Sequence, residues 1–140
     1  MKPARKILLV DDEPWLTEGL AASLTCREFE CLIAVDMTSG LEILQRHEVA
    51  TLVTDIMMPP GTAFPKVDSS ECGFIFIDQV QKRWPRLPIV CLSVIADQAK
   101  IRLLTKRGVR YLRKGETPLS TAVEVISAVA EGRRVKVRPS

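Results

Sequence analysis

Long apolar runs are missing from this chain of 140 residues. The apolar runs, such as residues 7–10 and 74–77, are far shorter than the ~20 residues that a helix needs to cross a bilayer. The basic start is not followed by the apolar segment of a signal peptide. We therefore expect a cytoplasmic protein that makes no use of a membrane.

Clustered metal-binding cysteines and histidines are also missing. The sequence has four cysteines, none in Cys-x-x-Cys spacing, and a single histidine, His47. A zinc site needs about four such ligands at short, regular spacings, so we expect none. We expect the cysteines to be reduced and structural, and His47 to be a surface residue rather than a ligand or phosphate relay.

The composition is that of one globular domain, with 46% hydrophobic and 26% charged residues. The charge is unevenly distributed. Residues 1–70 carry 6 basic and 11 acidic side chains, whereas residues 71–140 carry 14 basic and 6 acidic ones. Charge bias alone usually reflects a solvated face, so we expect no direct contact between this domain and nucleic acid.

Short apolar runs rich in β-branched residues alternate with amphipathic segments along the whole chain. Strands are predicted at residues 6–10, 31–35, 51–54, 88–93 and 109–113, each followed by a helix. This alternation predicts an α/β fold, a five-stranded parallel sheet with five helices. If the strand order is 2-1-3-4-5, as in doubly wound, flavodoxin-like folds, the first and third strands are neighbours.

Proline, glycine and threonine mark the predicted helix ends. Pro14 and Pro118 suit first helical positions, and Thr117 suits the N-cap before Pro118. Gly108 and Gly132 suit C-terminal caps.

Residues 74–77, Phe-Ile-Phe-Ile, have the propensity of a strand but continue into the helical apolar stripe of residues 78–84. A parallel sheet needs a crossover connection at this point, so we favour a helix.

Polar residues fall directly after the predicted strands. Asp11 and Asp12 follow the first strand, Asp55 the third, Ser93 ends the fourth and Lys114 follows the fifth. Ligands of open α/β sheets bind beyond the carboxyl ends of the strands. Three carboxylates converging there would repel one another, and a hard divalent cation with oxygen ligands, such as Mg²⁺, would relieve that repulsion.

A carboxylate nucleophile, a metal, a hydroxyl donor and an ammonium together suit the transfer of a phosphoryl group to an aspartate. Asp55 is the best nucleophile because it stands alone at a central strand end. The alternative is that these strand-end aspartates only cap the following helices.

With these motifs the chain resembles the receiver domain of two-component response regulators, in the chemotaxis-regulator-like (CheY-like) superfamily. The resemblance rests on four matches: Ile-Leu-Leu-Val-Asp-Asp-Glu-Pro at 7–14, Asp-Ile-Met-Met-Pro at 55–59, Ser93, and Tyr-Leu-Arg-Lys at 111–114. It implies a receiver domain over residues 5–131, followed by a basic tail or truncated linker at 132–140.

The resemblance implies a role for each acidic residue. Asp55 would be the phosphoacceptor. Asp12 and Asp55 would bind Mg²⁺ directly, together with the backbone carbonyl of Met57, and Asp11 would act through water.

The resemblance also implies a switch. Ser93 would hydrogen-bond the phosphoryl group, Lys114 would pair with it, and Tyr111 would turn inward when Ser93 moves. The surface of the fourth helix, fifth strand and fifth helix would then change, and the domain could form a homodimer through it.

The implied function is a signalling switch rather than an enzyme, with a sensor histidine kinase or phosphotransfer protein as phosphodonor. The alternative is a Mg²⁺-dependent phosphohydrolase that works through an aspartyl phosphate. The sequence offers no obvious general base and no substrate-binding domain for that alternative. A receiver-like scaffold that is never phosphorylated is disfavoured because every charged group of the site is present.

Three features depart from the family pattern. Gly115 stands where a proline usually follows the lysine, and Val94 stands where a small residue usually follows the hydroxyl. The connection from Asp55 to Gly73 is longer than usual, which predicts an insertion at residues 60–72. Such an insertion is either a plain surface loop or a lid or partner-docking loop.

Overall fold

The computed structural model describes residues 4–95 and 97–132, and five strands alternate with five helices there. The elements are β1 (Lys6–Val10), α1 (Pro14–Thr25), β2 (Glu30–Ala34), α2 (Met37–Arg46), β3 (Thr51–Thr54), α3 (Cys72–Arg83), β4 (Ile89–Ser93), α4 (Gln98–Lys106), β5 (Arg110–Arg113) and α5 (Leu119–Glu131). Residues 133–140 of the predicted basic tail lie outside the described residues.

All neighbouring strands are parallel, and their order is β2-β1-β3-β4-β5. This confirms the predicted fold. The first and third strands have the predicted bounds, and the others differ by one residue at one or both ends. The second strand begins at Glu30 because Glu30 is the residue that pairs with Lys6.

The sheet is covered by helices on both faces. Leu8 and Val10 of β1 pack into the apolar cluster under α2, α3 and α4, whereas Ile7 and Leu9 pack into the one under α1 and α5. All four side chains are at most 1% exposed. A strand buried on both faces must be apolar at consecutive positions, which explains the unbroken run in β1.

The helix ends agree with the prediction except at α5. Pro14 occupies the first turn of α1, and Gly108 and Gly132 adopt left-handed backbone just after α4 and α5. The prediction that Thr117 caps α5 and that Pro118 begins it is wrong by one residue. Pro118 has extended backbone (ψ 147°), and its carbonyl accepts the first helical hydrogen bond, from the Ala122 amide at 3.0 Å.

Residues 74–77 form part of α3, as predicted. Phe76 and Ile77 are fully buried, and Phe74 and Ile75 pack at the margin of the same cluster. Burial against the sheet therefore decides in favour of the helix despite the strand propensity of these residues.

The cysteines are free thiols, with Cys72 and Cys91 buried and Cys26 exposed. His47 is less exposed than predicted, since it is half-buried and its Nδ1 lies 3.1 Å from Lys6 Nζ. In the described part of the chain, none of the helices is both long and apolar enough to cross a membrane.

The segment predicted as an insertion is fastened to the first turn of α2. The Pro59 carbonyl accepts from the Met37 amide, and the Pro60 carbonyl from the Thr38 amide, each at 3.1 Å. Thr38 Oγ1 in turn accepts from the Ala63 amide at 3.1 Å. The segment and Pro59, the residue just before it, thus satisfy two amides that a helix N-terminus leaves free. A role as lid or partner-docking loop stays a prediction.

Gly73, near the start of α3, lies against the backbone that follows β3. Its amide donates to the Ile56 carbonyl at 2.8 Å. A Cβ at this position would lie 2.2 Å from Ile56 Cα and 2.5 Å from the Asp55 carbonyl oxygen. Only glycine fits here, so this contact holds α3 against the peptide that carries Asp55.

We expect Gly73→Ala to lower the free energy of unfolding by about 1–3 kcal/mol, because the added methyl group must displace backbone rather than a flexible side chain. Urea denaturation measures the change. Gly19→Ala is the matched control: its Cβ would meet its nearest neighbour at 3.7 Å in the middle of α1. That helical substitution should be neutral or stabilising by about 0.5–1 kcal/mol. Equal stability of Gly73→Ala and the parent protein would contradict the close approach.

Candidate functional site

Asp55 directly follows β3 and is 4% exposed. Its amide donates to the Val10 carbonyl at 3.0 Å, which ties it to the end of β1. Its Oδ1 accepts hydrogen bonds from the Ile56 amide at 2.7 Å and the Met57 amide at 3.3 Å. These bonds hold one carboxylate oxygen and leave the other, Oδ2, directed to partners across the sheet edge.

The structure brings three predicted acids together, which we call the acidic group: Asp11, Asp12 and Asp55. Each offers a carboxylate oxygen, and these oxygens lie within 4.8 Å of one another. They meet because β1 and β3 are neighbours and Val10 pairs with Thr54. Asp11 and Asp55 are buried, whereas Asp12 is exposed.

Lys114 reaches the acidic group from the end of β5. Its Nζ lies 2.8 Å from Asp11 Oδ2 and 2.7 Å from Asp55 Oδ2, and its side chain is only 9% exposed. Burial acts to lower the pKa of Lys114, but the hydrogen bonds that its ammonium donates to Asp11, Asp55 and Glu13 outweigh it and raise that pKa above its usual value. The ammonium therefore stays charged at neutral pH.

Sequence reasoning missed Glu13 as a member of this site. Its Oε1 accepts from Lys114 Nζ at 2.7 Å, and its amide donates to Asp11 Oδ1 at 3.0 Å. The available signal was a third acid at the end of the first strand, directly after Asp12. Its partner, however, is far along the chain, and only the fold brings the two together.

The pKa of Asp11 is raised, chiefly because burial disfavours its charged form, although Lys114 counteracts this. One ammonium thus faces several crowded carboxylates and does not balance their charge. A hard cation that prefers oxygen ligands would complete the balance, and these carboxylates fit Mg²⁺.

Ser93, at the end of β4, is fully buried, and its Oγ has no hydrogen-bond partner among the residues that the structure describes. Buried hydroxyl groups are nearly always hydrogen-bonded, so an unpaired one suggests a missing polar partner. The backbone carbonyl of Ser93, by contrast, accepts from the Lys114 amide at 2.8 Å.

Tyr111 of β5 is half-buried, and its side chain packs at the margin of the cluster under α2, α3 and α4. Its hydroxyl donates to the carbonyl of Ile95 and, at 3.3 Å, to that of Ser93. Tyr111 therefore holds the segment between β4 and α4, and it is linked to Ser93 through the backbone.

Two of the departures from the family pattern, Gly115 and Val94, directly follow the site residues Lys114 and Ser93. Gly115 has φ +84°, a left-handed backbone that a proline, with φ fixed near −65°, is unable to adopt. The side chains of Val94 and Met57 are 56% and 47% exposed. Met57 enters the site through its backbone amide, and the proposed metal-binding role of its carbonyl stays a prediction.

Comparison with known proteins shows the family to which this chain is similar. The family model described as "Response regulator receiver domain" matches residues 7–125. Response regulator Rre1 of Synechocystis is 34% identical over 90 residues, which cover 62% of this chain and 35% of that protein. Response regulator RR06 of Streptococcus pneumoniae is 29% identical over 92 residues, covering 66% of this chain and 37% of that protein.

The fold is shared with solved receiver domains. The CheY-like receiver domain protein of Methanospirillum hungatei has a TM-score of 0.76 at 18% identity, over 92% of this chain and 95% of that one. Rre1 and RR06 are much longer, and this chain spans little more than a third of the length of each.

We expect Lys114→Met to lower the free energy of unfolding at pH 7, without divalent cations, by about 3–5 kcal/mol, because it leaves buried carboxylates without their cation. The deficit should shrink as the pH falls towards 5. A carboxylate whose pKa is raised in the folded state takes up protons on acidification more readily there than in the unfolded chain. Denaturation at both pH values measures this.

The control for that variant is Lys106→Met, at an exposed position at the end of α4. It removes the same charge at the surface and should change stability by no more than about 0.5 kcal/mol. If the free energy of unfolding fell by the same small amount in both variants at either pH, Lys114 would not be the cation that neutralises Asp11 and Asp55.

Proposed function

This chain belongs to the response regulator receiver domain family, and we propose that it acts as a phosphorylation-activated switch of a two-component system. Receiver domains are signalling switches that interact with histidine kinases and phosphotransfer proteins. A sensor histidine kinase or phosphotransfer protein would be the donor, and Asp55 the acceptor. One observation carries the proposal: the buried Asp55 carboxylate, oriented by two amides, shares the Lys114 ammonium with Asp11.

In the proposed reaction a carboxylate oxygen of Asp55 attacks phosphorus. The bond from phosphorus to the donor's histidine nitrogen breaks, and its electron pair leaves with that nitrogen. The Ile56 and Met57 amides orient the nucleophile, while Lys114 stays charged to pair with the phosphoryl oxygens. Phosphoryl transfer needs mainly positioning and charge neutralisation, and these groups supply both.

We propose that the acidic group holds Mg²⁺. Asp12 and Asp55 would be direct ligands together with the Met57 carbonyl, and Asp11 would act through water. The donor set is entirely oxygen, and the three carboxylate oxygens lie within 4.8 Å of one another. When bound, Mg²⁺ would neutralise charge on the phosphoryl oxygens.

The Ser93 hydroxyl has no hydrogen-bond partner among the described residues, which supports a role as donor to the phosphoryl group. The Ser93 carbonyl already accepts from the Lys114 amide and the Tyr111 hydroxyl. A movement of the Ser93 backbone towards the phosphoryl group therefore changes both contacts. We propose that Tyr111 is repositioned as a result and alters the output face, formed by α4, β5 and α5.

The output face has a concentration of basic residues. Residues 100–114 contain seven of them and no acid: Lys100, Arg102, Lys106, Arg107, Arg110, Arg113 and Lys114. Several are neutralised by acids from other segments or the following turn, as in the pairs Lys100–Glu71, Arg107–Asp78 and Arg113–Glu116. Arg102, Lys106 and Arg110 remain exposed for a homodimer or an acidic partner.

The alternative, a Mg²⁺-dependent phosphohydrolase, gains no support from the comparisons, which match signalling receivers. We propose that the protein is not an enzyme and makes no direct contact with nucleic acid through this domain. We also propose a receiver domain over residues 5–131 with a loop insertion at 60–72. The cytoplasmic location and the nature of residues 132–140, tail or linker, stay predictions.

Incubation with acetyl phosphate and Mg²⁺ should add a single phosphoryl group, detected by mass spectrometry of the intact protein. Asp55→Ala should abolish the adduct, because it removes the nucleophile. Asp78→Ala, at a half-buried position on α3 outside the acidic group, should keep it. An adduct that persists in Asp55→Ala would refute the assignment of the acceptor, and sustained phosphate release would favour the phosphohydrolase.

The state of the site should control self-association. With Mg²⁺ and beryllofluoride, a phosphoryl mimic, we expect the dissociation constant of the homodimer to fall at least about fivefold, a typical coupling between two sites. Sedimentation velocity measures it. Arg110→Glu should remove most of this gain if the output face forms the dimer. Equal dissociation constants with and without the mimic would argue against this coupling.

A further inference from the structure

Glu13 stands at the N-terminus of α1 but does not serve that helix with its side chain. It is the N-cap residue, and its carbonyl accepts from the Leu16 and Thr17 amides at 3.2 and 3.3 Å. Its carboxylate makes no capping hydrogen bond among the described residues and instead reaches Lys114 Nζ at 2.7 Å. The side chain is thus committed to the site rather than to the helix.

The three carboxylates on Lys114 are not equivalent. The side chains of Asp11 and Asp55 are 8% and 6% exposed, whereas that of Glu13 is 39% exposed. Asp11 and Asp55 have proposed roles towards Mg²⁺ and the phosphoryl group. Glu13 has none, so it is the partner that stays available to Lys114 when the other two are engaged.

We propose that Glu13 is a positioning residue that acts through Lys114, helping the acidic group to accept a divalent cation and competing with the phosphoryl group for the ammonium. This inference rests on the proposed function.

The effect on cation binding follows from repulsion. A dication at the acidic group approaches an ammonium that is already bonded to Asp11 and Asp55 at 2.7–2.8 Å. Glu13 offers that ammonium a third partner at the outer rim, where it can remain while the other two carboxylates turn to the cation. Removing the Glu13 carboxylate should therefore weaken cation binding.

The Glu13 carboxylate has the opposite effect on the binding of a phosphoryl group. A phosphoryl group on Asp55 is an anion that needs Lys114, and Glu13 both occupies this ammonium and repels a second anion. Removing the Glu13 charge should therefore strengthen binding of a phosphoryl mimic. A change that merely damaged the fold would instead weaken the binding of both ligands.

The test is Glu13→Gln, which keeps the size of the side chain and removes its charge. Titration calorimetry measures the Kd of Mg²⁺ alone and then the Kd of beryllofluoride at saturating Mg²⁺. We expect the first to rise and the second to fall, each about two- to fivefold, as suits a half-exposed ion pair. Thermal unfolding without Mg²⁺ checks that the variant is folded.

Glu18→Gln is the matched control, since it removes the same charge from an exposed position on the same helix. It should shift each Kd by less than half as much. In a protein that already carries Lys114→Gln, the substitution Glu13→Gln should change the Kd of Mg²⁺ no more than Glu18→Gln does. Any other pattern overturns the inference, including equal shifts for the two single variants or shifts of the same sign for both ligands.

These outcomes separate the inference from the proposed function. A parent protein that binds neither Mg²⁺ nor beryllofluoride and gains no phosphoryl adduct defeats the proposed function. A parent that does all three, with Glu13→Gln unchanged, defeats only the role of Glu13.

Discussion

The ammonium of Lys114 lies among carboxylates from two other strand ends, and the site depends on this one arrangement. Asp11, Glu13 and Asp55 each place an oxygen within 2.8 Å of its Nζ. A buried charge is tolerated only when it is paired, so β1, β3 and β5 must end at the same edge with these side chains facing one another. The same cluster has more negative than positive charge, which makes it receptive to a hard cation.

The backbone around Ser93 links this charged cluster to the rest of the domain. One carbonyl receives the Lys114 amide and the Tyr111 hydroxyl, while the Ser93 hydroxyl has no partner among the described residues. Tyr111 also bonds the Ile95 carbonyl in the segment that leads to α4. A local change at Ser93 therefore has a short, physically continuous route to α4 and β5, as a two-state switch requires.

The other side of the site is held by close packing rather than by charge. Gly73 brings α3 against the peptide after Asp55, and the Pro59 and Pro60 carbonyls join the long connection to α2. The backbone after Asp55 is thus held by the close contact with Gly73, which leaves no room for a side chain at that position. The predicted insertion at 60–72 adds to this bracing, because its Ala63 amide binds Thr38.

The order of apolar runs and strand-end polar residues in the sequence was enough to predict the parallel sheet and the meeting of Asp11, Asp12, Asp55 and Lys114 at one edge, whereas the strand order came with the resemblance to receiver domains. Those features follow from periodicity and from the rule that parallel strands end at one edge. Local signals were weaker at the ends of elements: Pro118 proved to be the cap, because its extended backbone excludes it from the helix.

Only the tertiary structure decided which charges are paired. The contact of Glu13 with Lys114 joins residues that are far apart in the sequence. Likewise, Lys100 pairs with Glu71, the N-cap residue of α3, and Arg107 pairs with Asp78 within α3. The sequence shows which side chains can ionise, but the packing of the fold decides which of them come within 3 or 4 Å of one another. That is why the position of the site was readable from the chain, while the balance of charge within it was not.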